Sequence, residues 1–415
     1  MKSRKIAQKI LKLSQSEIGR ILVLTGARQT GKTTLVKKLF PGYEYISIED
    51  PVMRSRYTSL TADQWRKIYP NAILDEVQKQ PELIESIKSV YDQWPEPRYL
   101  LLGSSQILLL EKVKESLAGR NIIFEIYPLT LPELRTLTWQ EETPDSIFQR
   151  LLTEHALPEL LPSFLLDKLM PEKQQAWEHC IRYGAYPAIS EDRLTHEEKL
   201  LWLKNYVRTY LERDIRDLAM VRDLEPIIKL QRYLALHTGC LVNATSIAGE
   251  IGVTTKTIQR YIRYFELSYQ AVILPAWSLN AGKRLSKMPK LHYLDNGILN
   301  AVLQKQGGLT GNEFESLVIS EIYKQIATAE LPARLYHMRS HDGREVDLLI
   351  EMPEYYLAFE IKMSEKVNSG DARNFQGLNE ILNKPLKHAF ILSNDPETKH
   401  FANNISAINA SMFLG

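Results

Sequence analysis

The chain contains few cysteines. Its 415 residues include two, Cys180 and Cys240, which lie far apart and do not have the spacing of a metal-ligand pair. Small secreted proteins that depend on disulfide bonds have many closely spaced cysteines. The scarcity therefore argues against a disulfide framework, and it predicts a protein of the reducing cytoplasm.

Long apolar runs and a large net charge are absent as well. A membrane-spanning helix needs about 18 or more apolar residues in a row, and the sequence has no such run, so we expect none. The basic residues 1–17 lack the apolar core of a signal peptide. The formal charge is only +2, so any surface for nucleic acid has to be local. The length suits about two to four domains.

A phosphate-binding pattern stands out at residues 21–34, ILVLTGARQTGKTT. An apolar run suited to a central parallel strand precedes a loop of the form G-x-x-x-x-G-K-[ST]. Glycines let the loop turn its N–H groups towards an anion, and the next helix adds the partial positive charge of its N-terminus. The predicted nucleotide-binding residues are Gly26, Ala27, Arg28, Gln29, Thr30, Gly31, Lys32, Thr33 and Thr34.

Strands alternate with helical stretches after this loop, which predicts an α/β fold with a parallel sheet. Ligands of such sheets bind at the carboxyl ends of the strands. One strand ends in Asp75 and Glu76. Together with the Thr33 hydroxyl, Asp75 is expected to hold Mg²⁺, and Glu76 to polarise the attacking water. Lys32 is expected to bind the β- and γ-phosphates.

Further candidates lie on the next strand and helix. Ser104 or Ser105 follows an apolar strand, and either one senses the γ-phosphate or merely caps the next helix. Arg120 ends a helical stretch; it is either an arginine finger for a neighbouring subunit or an ordinary solvated or sheet-packed arginine. No guanine-recognition signature of the Asn-Lys-x-Asp type lies in the right place, so ATP is favoured over GTP.

Residues 244–266 have the pattern of a helix, a tight turn at Gly252 and a second helix. The side chains predicted to be exposed on the second helix are Lys256, Gln259, Arg260 and Arg263. A strand-like stretch and a basic segment follow, and the cations offered by this wing are Lys283, Arg284, Lys287 and Lys290. We expect a winged helix that contacts DNA. The alternative is a winged helix that docks a protein or shapes an ATPase lid.

Two strands near the C-terminal end carry three charged residues, Asp347, Glu360 and Lys362. If the turn between the strands centres on residues 353 and 354, Asp347 lies opposite Glu360. Facing carboxylates destabilise a sheet unless something offsets them, and a shared Mg²⁺ or Mn²⁺ ion would do so. Lys362 would orient a water molecule or stabilise developing charge. The alternative is an exposed polar face with three ordinary charges.

These stretches together resemble the bacterial and archaeal AAA+-like ATPases that have a C-terminal domain of unknown function. The resemblance covers nearly the whole chain and is carried by GARQTGKTT, ILDEVQ, LLGSSQILLL, ESLAGR, YPLTLPEL, YGAYP, YLERDI, KLHYLDNGI and GREVDLLI…AFEIK, with the helix-turn-helix. The last pair of strands also looks like the PD-(D/E)xK nuclease superfamily. That likeness implies a further acid from an earlier helix, either Glu315 or Glu321.

The sequence therefore predicts four domains. These are a P-loop ATPase domain (1–135), a helical lid or linker (136–225), a winged helix-turn-helix (226–290) and a restriction-endonuclease-like domain (291–415). We expect a cytoplasmic, ATP-hydrolysing protein that uses Mg²⁺, acts on DNA and forms homo-oligomers, with metal-dependent nuclease activity in its C-terminal domain. The alternative is a nucleotide-dependent switch whose C-terminal domain docks a protein or DNA without cleaving it.

Overall fold

A computed structural model describes most of the chain. The described residues are 1–103, 113, 115–153, 161, 167–191, 193–210, 223–280, 282, 284, 287–306, 308–339, 345–401 and 404–415. Three residues singled out by sequence, Ser104, Ser105 and Lys283, lie outside these ranges. Within them, no helix is both long enough and apolar enough to cross a membrane.

The first part of the chain folds into a parallel sheet of five strands in the order β2-β3-β4-β1-β5. The strands are β1 (Ile21–Thr25), β2 (Glu44–Ser47), β3 (Asn71–Asp75), β4 (Arg98–Leu102) and β5 (Ile122–Glu125). All residues of β1 are buried, as expected for a strand flanked on both edges by β4 and β5. Because all strands run the same way, Thr25 and Asp75 end at one edge of the sheet.

Helices cover both faces of this sheet. They are α1 (Ile6–Ser14), α2 (Lys32–Leu39), α3 (Pro51–Thr58), α4 (Ala62–Ile68) and α5 (Glu82–Gln93). Helices α1 and α2 pack on one face with Leu24 and Phe124. Helix α5 packs on the other face with Val23 and Leu101. The strands β1, β3 and β4 are therefore buried on both faces, which explains their apolar sequences.

Helices dominate the next stretch: α6 (Leu131–Arg135), α7 (Ile147–Thr153), α8 (Met170–Tyr183), α9 (His196–Tyr210), α10 (Glu225–Leu236), α11 (Ala244–Ile251) and α12 (Thr255–Leu267). Helices α11 and α12 form the predicted helix-turn-helix. Gly252 ends α11 at φ +83°, a left-handed conformation that favours glycine. The Thr254 hydroxyl caps α12 by accepting a hydrogen bond from Thr257 N.

The second half of the chain contains an antiparallel hairpin and a mixed sheet. The hairpin is β6 (Ala271–Leu274) with β7 (Lys290–Tyr293). The sheet has the order β12-β13-β11-β10-β9-β8, with β8 (Arg334–Arg339), β9 (Glu345–Glu351), β10 (Tyr356–Ile361), β11 (Leu386–Ser393), β12 (Lys399–Phe401) and β13 (Ile405–Asn409). The helices here are α13 (Asn296–Leu303), α14 (Gly311–Ala329), α15 (Leu378–Ile381) and α16 (Ala410–Leu414).

One hydrophobic core joins distant parts of the sequence. Side chains of α6, α7 and α8 share a buried cluster with α14, α16 and the six-stranded sheet. Phe148 lies against Phe359 and Phe413, with ring centroids 6.3 and 5.8 Å away, and Trp177 lies 5.9 Å from Phe314. Helices α6, α7 and α8 therefore complete the core of the C-terminal domain, so this core crosses the predicted boundaries at residues 135 and 291. Those boundaries stay a prediction.

Two of the sequence motifs interlock in the fold. Gly184, in the motif YGAYP, has φ +76°, and a Cβ there would lie 2.0 Å from a carboxylate oxygen of Asp295. The same carboxylate accepts a hydrogen bond from Ala185 N at 2.7 Å and caps α13 through Ile298 N at 3.1 Å. The glycine is thus required because Asp295 approaches the backbone closely.

Candidate functional sites

The phosphate-binding loop has three residues with positive φ: Gly26 (+147°), Gln29 (+61°) and Gly31 (+86°). A Cβ on Gly26 would lie 2.1 Å from the carbonyl oxygen of Ile126, so only glycine fits beside β5. Gly31 directly precedes α2. The loop therefore has the conformation that brings backbone N–H groups and a helix N-terminus to one anion site.

Lys32 curls back over the loop. Its ammonium donates to the carbonyl oxygens of Gly26 and Ala27 at 2.9 and 2.7 Å. The Thr30 hydroxyl donates to the same Ala27 oxygen at 2.9 Å. These contacts keep the ammonium over the concave side of the loop. Phosphate oxygens are charged acceptors and bind an ammonium more strongly than carbonyls do.

Thr33 and Asp75 meet as the sequence predicts. The Thr33 hydroxyl donates to a carboxylate oxygen of Asp75 at 2.7 Å. The Tyr45 hydroxyl donates to the same oxygen at 2.8 Å, and burial, followed by this hydrogen bond, raises the pKa of Tyr45. Sequence reasoning missed Tyr45, because its position depends on how β2 aligns with β3. Hydroxyl and carboxylate oxygens are the ligands that Mg²⁺ prefers, so this pair fits the ion.

Glu76 follows Asp75 in a left-handed conformation with φ +59°, which is uncommon for a residue with a side chain. The Gln78 side-chain amide donates to a carboxylate oxygen of Glu76 at 2.6 Å. Gln78 belongs to the motif ILDEVQ, but sequence reasoning gave it no role. The structure thus places a side-chain partner on the carboxylate expected to activate water.

A cavity of about 330 Å³ opens beside the loop. Its walls are the N-terminal residues Met1, Lys2 and Arg4, the loop residues Gln29, Thr30, Gly31 and Thr34, and Leu129, Pro187, Ala188 and Glu191. Arg4 is 4% exposed and donates to the Tyr127 carbonyl oxygen at 2.7 Å. Its Nη1 has no hydrogen-bond partner in the described part of the chain. A nucleotide base and ribose would extend from the phosphate site into such a cavity.

Arg120 has a partner within its own chain. Its guanidinium forms two hydrogen bonds to the carboxylate of Asp92, at 2.7 and 3.2 Å. The side chain lies at the surface, about one third exposed. This bidentate pair accounts for Arg120 without a neighbouring subunit, and a role in trans stays a prediction.

Some cations of the predicted DNA surface are exposed, whereas others pack against the C-terminal sheet. Four residues of α12 are exposed: Lys256, Gln259, Arg260 and Arg263. In the segment between β6 and β7, Lys287 is exposed. Arg284, however, donates to the Tyr336 hydroxyl at 3.2 Å and lies 3.3 Å from Glu351. These contacts bind Arg284 to the C-terminal sheet.

The basic segment predicts Lys290 as a cation of the wing that is offered to DNA, but the structure buries this side chain. It is 5% exposed, so it cannot meet DNA. Its ammonium nitrogen lies 2.8 Å from a carboxylate oxygen of Glu345, 3.0 Å from one of Glu315 and 3.8 Å from one of Asp347. The error arose because β7 turns its first side chain inward, under α14, and no local sequence pattern reveals this.

The predicted register of β9 and β10 is present. Leu348 pairs with Phe359, so the next position along the two strands places Asp347 opposite Glu360. Asp347 accepts a hydrogen bond from Ile361 N at 2.8 Å. Both carboxylates are largely buried, with side-chain exposures of 14% and 11%. The alternative of an exposed polar face is therefore wrong.

The side chains of β9 do not alternate regularly between the two faces of the sheet. Val346 packs with Leu349 on one face of the sheet, whereas Leu348 and Ile350 pack on the other. The cause is an irregularity in the pairing of β8 with β9, where the register shifts by one residue between Leu349 and Val346. Such bulges are set by the neighbouring strand, which a strand's own sequence does not reveal.

Lys362 is directed mainly to another acid. Its ammonium donates to a carboxylate oxygen of Asp371 at 2.6 Å and lies 3.9 Å from Glu360. Glu360 accepts a hydrogen bond from the Asn374 amide at 3.2 Å. Of the two acids implied by the nuclease likeness, Glu315 joins the cluster. Glu321 does not, because it accepts from Leu131 N at 2.7 Å and pairs with Lys324 at 2.7 Å.

Burial raises the pKa of three acids in this cluster, which we define as Glu315, Glu345, Asp347 and Glu360 with Lys290. Burial and then the Asp347 charge raise the pKa of Glu315 to about 8 and that of Glu360 to about 7. Burial also raises the pKa of Asp347, against the effect of Lys290. Burial would lower the pKa of Lys290, but the surrounding carboxylates raise it. The ammonium is thus charged throughout the physiological range.

The cluster does not fit the predicted divalent ion. Across the described residues, no group of three or more His, Cys, Asp or Glu side chains is arranged to hold a metal. The oxygens of Glu315, Glu345 and Asp347 converge on the Lys290 ammonium instead. The Mg²⁺ or Mn²⁺ ion predicted between Asp347 and Glu360 thus has no support in this arrangement.

Comparisons with known proteins support the predicted ATPase domain. They assign no function to the rest of the chain. Residues 19–135 match the model of an AAA domain. Residues 174–308 and 310–413 match two domains of unknown function, DUF8612 and DUF4143. Uncharacterised proteins of Mycobacterium bovis and Mycobacterium tuberculosis are each 27% identical over 356 residues, which cover 82% of this chain and 70% of the relative.

The solved structures that are similar to this chain include the following two, both with low TM-scores and low sequence identity. One is a Walker-type ATPase of Pyrococcus abyssi, with a TM-score of 0.45 and 15% identity, covering 73% of this chain and 96% of that one. The other is domain III of the replication initiation protein DnaA of Thermotoga maritima, with a TM-score of 0.27 and 17% identity, covering 48% and 89%. The parallel sheet and the loop agree with the match of residues 19–135 to an AAA domain.

Proposed function

We propose that the protein binds ATP with Mg²⁺ at the loop of residues 26–34 and hydrolyses it. The observation that carries this proposal is the 2.7 Å hydrogen bond between Thr33 and Asp75, next to a loop with the conformation of an anion site. The two oxygens belong to the residue types that hold Mg²⁺ in P-loop enzymes. Mg²⁺, when bound, neutralises charge that develops on the phosphates.

The residues of the chain have separate tasks in this mechanism. Loop N–H groups and the N-terminus of α2 bind the phosphates, and Lys32 exchanges its carbonyl partners for phosphate oxygens. Glu76 accepts a proton from the attacking water, or orients it, at its carboxylate. The cavity lined by Arg4 and Pro187 receives the base and ribose and shields them from water.

The decisive experiment measures ATP affinity and turnover separately in two variants. Lys32→Ala should bind ATP at least about tenfold more weakly, because a charged hydrogen bond to phosphate is worth about 1.5–3 kcal/mol. Glu76→Gln should bind ATP normally and lower kcat by about 10²–10⁴-fold. Matched controls are Lys12→Ala and Glu96→Gln, which change exposed residues away from the loop. Turnover by Glu76→Gln at the wild-type rate would overturn its assignment.

We further propose that α12 carries the DNA contacts, in a winged-helix arrangement with the β6–β7 hairpin. Three features support it: the Gly252 turn, the Thr254 cap and the exposed cationic face of α12. Homo-oligomers remain a prediction that the single chain does not test.

A second candidate function applies to the C-terminal domain. Its carboxylates surround Lys290 instead of leaving space for a metal ion, which favours a docking module in a nucleotide-dependent switch over a nuclease. The test incubates the protein with plasmid and single-stranded DNA, with Mg²⁺ or Mn²⁺, with and without ATP. Cleavage that is lost in Asp347→Asn would show a nuclease, and persistent intact DNA would support docking.

A further inference from the structure

The cation that lies among the C-terminal carboxyl groups comes from outside their own sheet. Lys290 is the first residue of β7, which pairs with β6 rather than with β9 or β10. Its backbone also bridges to Leu241, ahead of α11. The cation therefore comes from the segment that includes the helix-turn-helix, and the acids come from α14 and β9.

The hairpin that carries Lys290 is fixed to the C-terminal sheet. Trp277 N donates to the His337 carbonyl oxygen at 2.7 Å, and His337 N donates to the Pro275 oxygen at 3.0 Å. The His337 ring lies 3.1 Å from the Met288 carbonyl oxygen, just before Lys290. Contacts on both sides of the lysine thus hold its side chain under α14.

A divalent ion between Glu315 and Asp347 would compete with this ammonium. Mg²⁺ binds carboxylate oxygens at about 2.0–2.1 Å, and Ca²⁺ at about 2.3–2.6 Å. An ion that close to the oxygens of Glu315 and Asp347 would lie next to the Lys290 nitrogen, and the two positive charges would repel strongly in a buried site. Lys362 does not take the place of Lys290 as the cation beside these acids, because its ammonium pairs with Asp371 at 2.6 Å.

We propose that Lys290 is the resident cation of the C-terminal carboxylate cluster and that, while the β6–β7 hairpin is docked, it excludes divalent metal ions from this site. The site then joins two segments of the chain electrostatically instead of holding a catalytic metal. This inference rests on the docking interpretation of the C-terminal domain and is independent of ATP hydrolysis.

The first test replaces Lys290 with methionine in the full chain. Methionine has a similar length and no charge, so the carboxyl groups of Glu315, Glu345 and Asp347 lose the cation between them. Breaking a buried ion pair is strongly destabilising, and we expect the Tm in EDTA to fall by about 5 °C or more. An unchanged Tm would overturn the counter-ion role.

The second test asks whether Mn²⁺ replaces the missing charge. In nucleotide-free protein, Mn²⁺ should raise the Tm of Lys290→Met by about 3 °C or more, because a ligand that binds the folded state stabilises it. The rise should vanish in Lys290→Met/Asp347→Asn, which removes a ligand of the C-terminal cluster and leaves the loop of residues 26–34 unchanged. The wild type should show no rise that depends on Asp347.

Two results would overturn the proposal. One is a Mn²⁺ response of the wild type that Asp347→Asn abolishes, since a metal would then bind beside Lys290. The other is a folded Lys290→Met protein without any Mn²⁺ response. If Lys290→Met does not fold, Lys290→Met/Glu315→Gln removes the ammonium together with one carboxyl group beside it, and the result is read in the same way.

ATP turnover in the same preparations separates this inference from the proposed function. Lys290 lies in the C-terminal half, in contact with Glu315 and Glu345, so we expect its variants to keep wild-type turnover. A wild-type protein without ATPase activity would overturn the proposed function and leave the Mn²⁺ result interpretable.

Discussion

Single residues decide how the ATPase site works, and Glu76 is the most constrained of them. Its left-handed backbone (φ +59°) directs the carboxylate towards Gln78, whose amide donates to it at 2.6 Å. Backbone conformations of this kind cost about 1–3 kcal/mol and persist where the surroundings enforce them. We infer that Gln78 sets the direction of the Glu76 carboxylate and so acts as a positioning residue.

Gln78→Ala should therefore lower kcat by about tenfold, a part of the 10²–10⁴-fold that a general base contributes. The affinity for ATP should stay unchanged, because Gln78 does not line the phosphate loop. The matched control is Gln80→Ala, whose amide donates to Glu82 at 2.7 Å, away from Glu76. Equal losses of affinity and turnover would instead indicate a general disturbance of the fold.

For single residues, the sequence predicted correctly the positions of those site residues that belong to a motif. Thr33 and Asp75 meet as expected, because the motif and the strand ends define their places. Tyr45 and Lys290 were not predictable. Each reaches its acid through the pairing of two strands or the packing of a helix over a hairpin, and such contacts leave no local pattern.

Among the elements, helix α12 presents the charges that DNA binding would need. Lys256→Ala with Arg260→Ala should weaken DNA binding and reduce the slope of log K against log salt by up to about two, since each phosphate contact contributes about 0.9. The measurement is a salt titration of affinity for duplex DNA. A control pair on α10, Lys229→Ala with Arg232→Ala, removes two exposed cations from another helix.

If the α12 variant binds DNA with unchanged affinity and an unchanged salt slope, α11 and α12 would instead be interpreted as a protein-docking module. The sequence predicted this pair well because its turn and cap are local features, at Gly252 and Thr254. The sequence-based prediction of an exposed wing was wrong for part of the β6–β7 hairpin that follows. A basic segment has the same sequence pattern whether its side chains face water or pack against neighbouring elements. Arg284 and Lys290 pack in this way, although the pattern suggests an exposed wing.

For the whole molecule, the core that helices α6, α7 and α8 share with the C-terminal sheet matters most. Phe148→Ala should lower the free energy of unfolding of this part by about 3–5 kcal/mol, as expected for a large side chain removed from a core. Leu137→Ala is the control, because Leu137 is 74% exposed. Denaturant titration followed by circular dichroism measures both. A small effect of Phe148→Ala would mean that α7 is only loosely associated with the sheet.

The same core determines what an isolated C-terminal fragment would lose. A fragment of residues 291–415 would lack Lys290, and it would expose Phe314, Phe359 and Phe413, which Phe148 and Trp177 cover. Measurements on the C-terminal domain therefore belong in the full chain. The sequence could not reveal this, since the helical periodicity of α7 and α8 fits a lid as well as a core.

The shared core also has a consequence for synthesis on the ribosome. Helix α8 ends at Tyr183, and α13, which packs against it, begins only at Asn296. At about 5–20 residues per second, the intervening segment takes on the order of ten seconds to emerge. During that time the P-loop domain can close, whereas the apolar faces of α7 and α8 wait uncovered. The nascent chain is then most exposed to aggregation and to chaperones, well before its last strand is made.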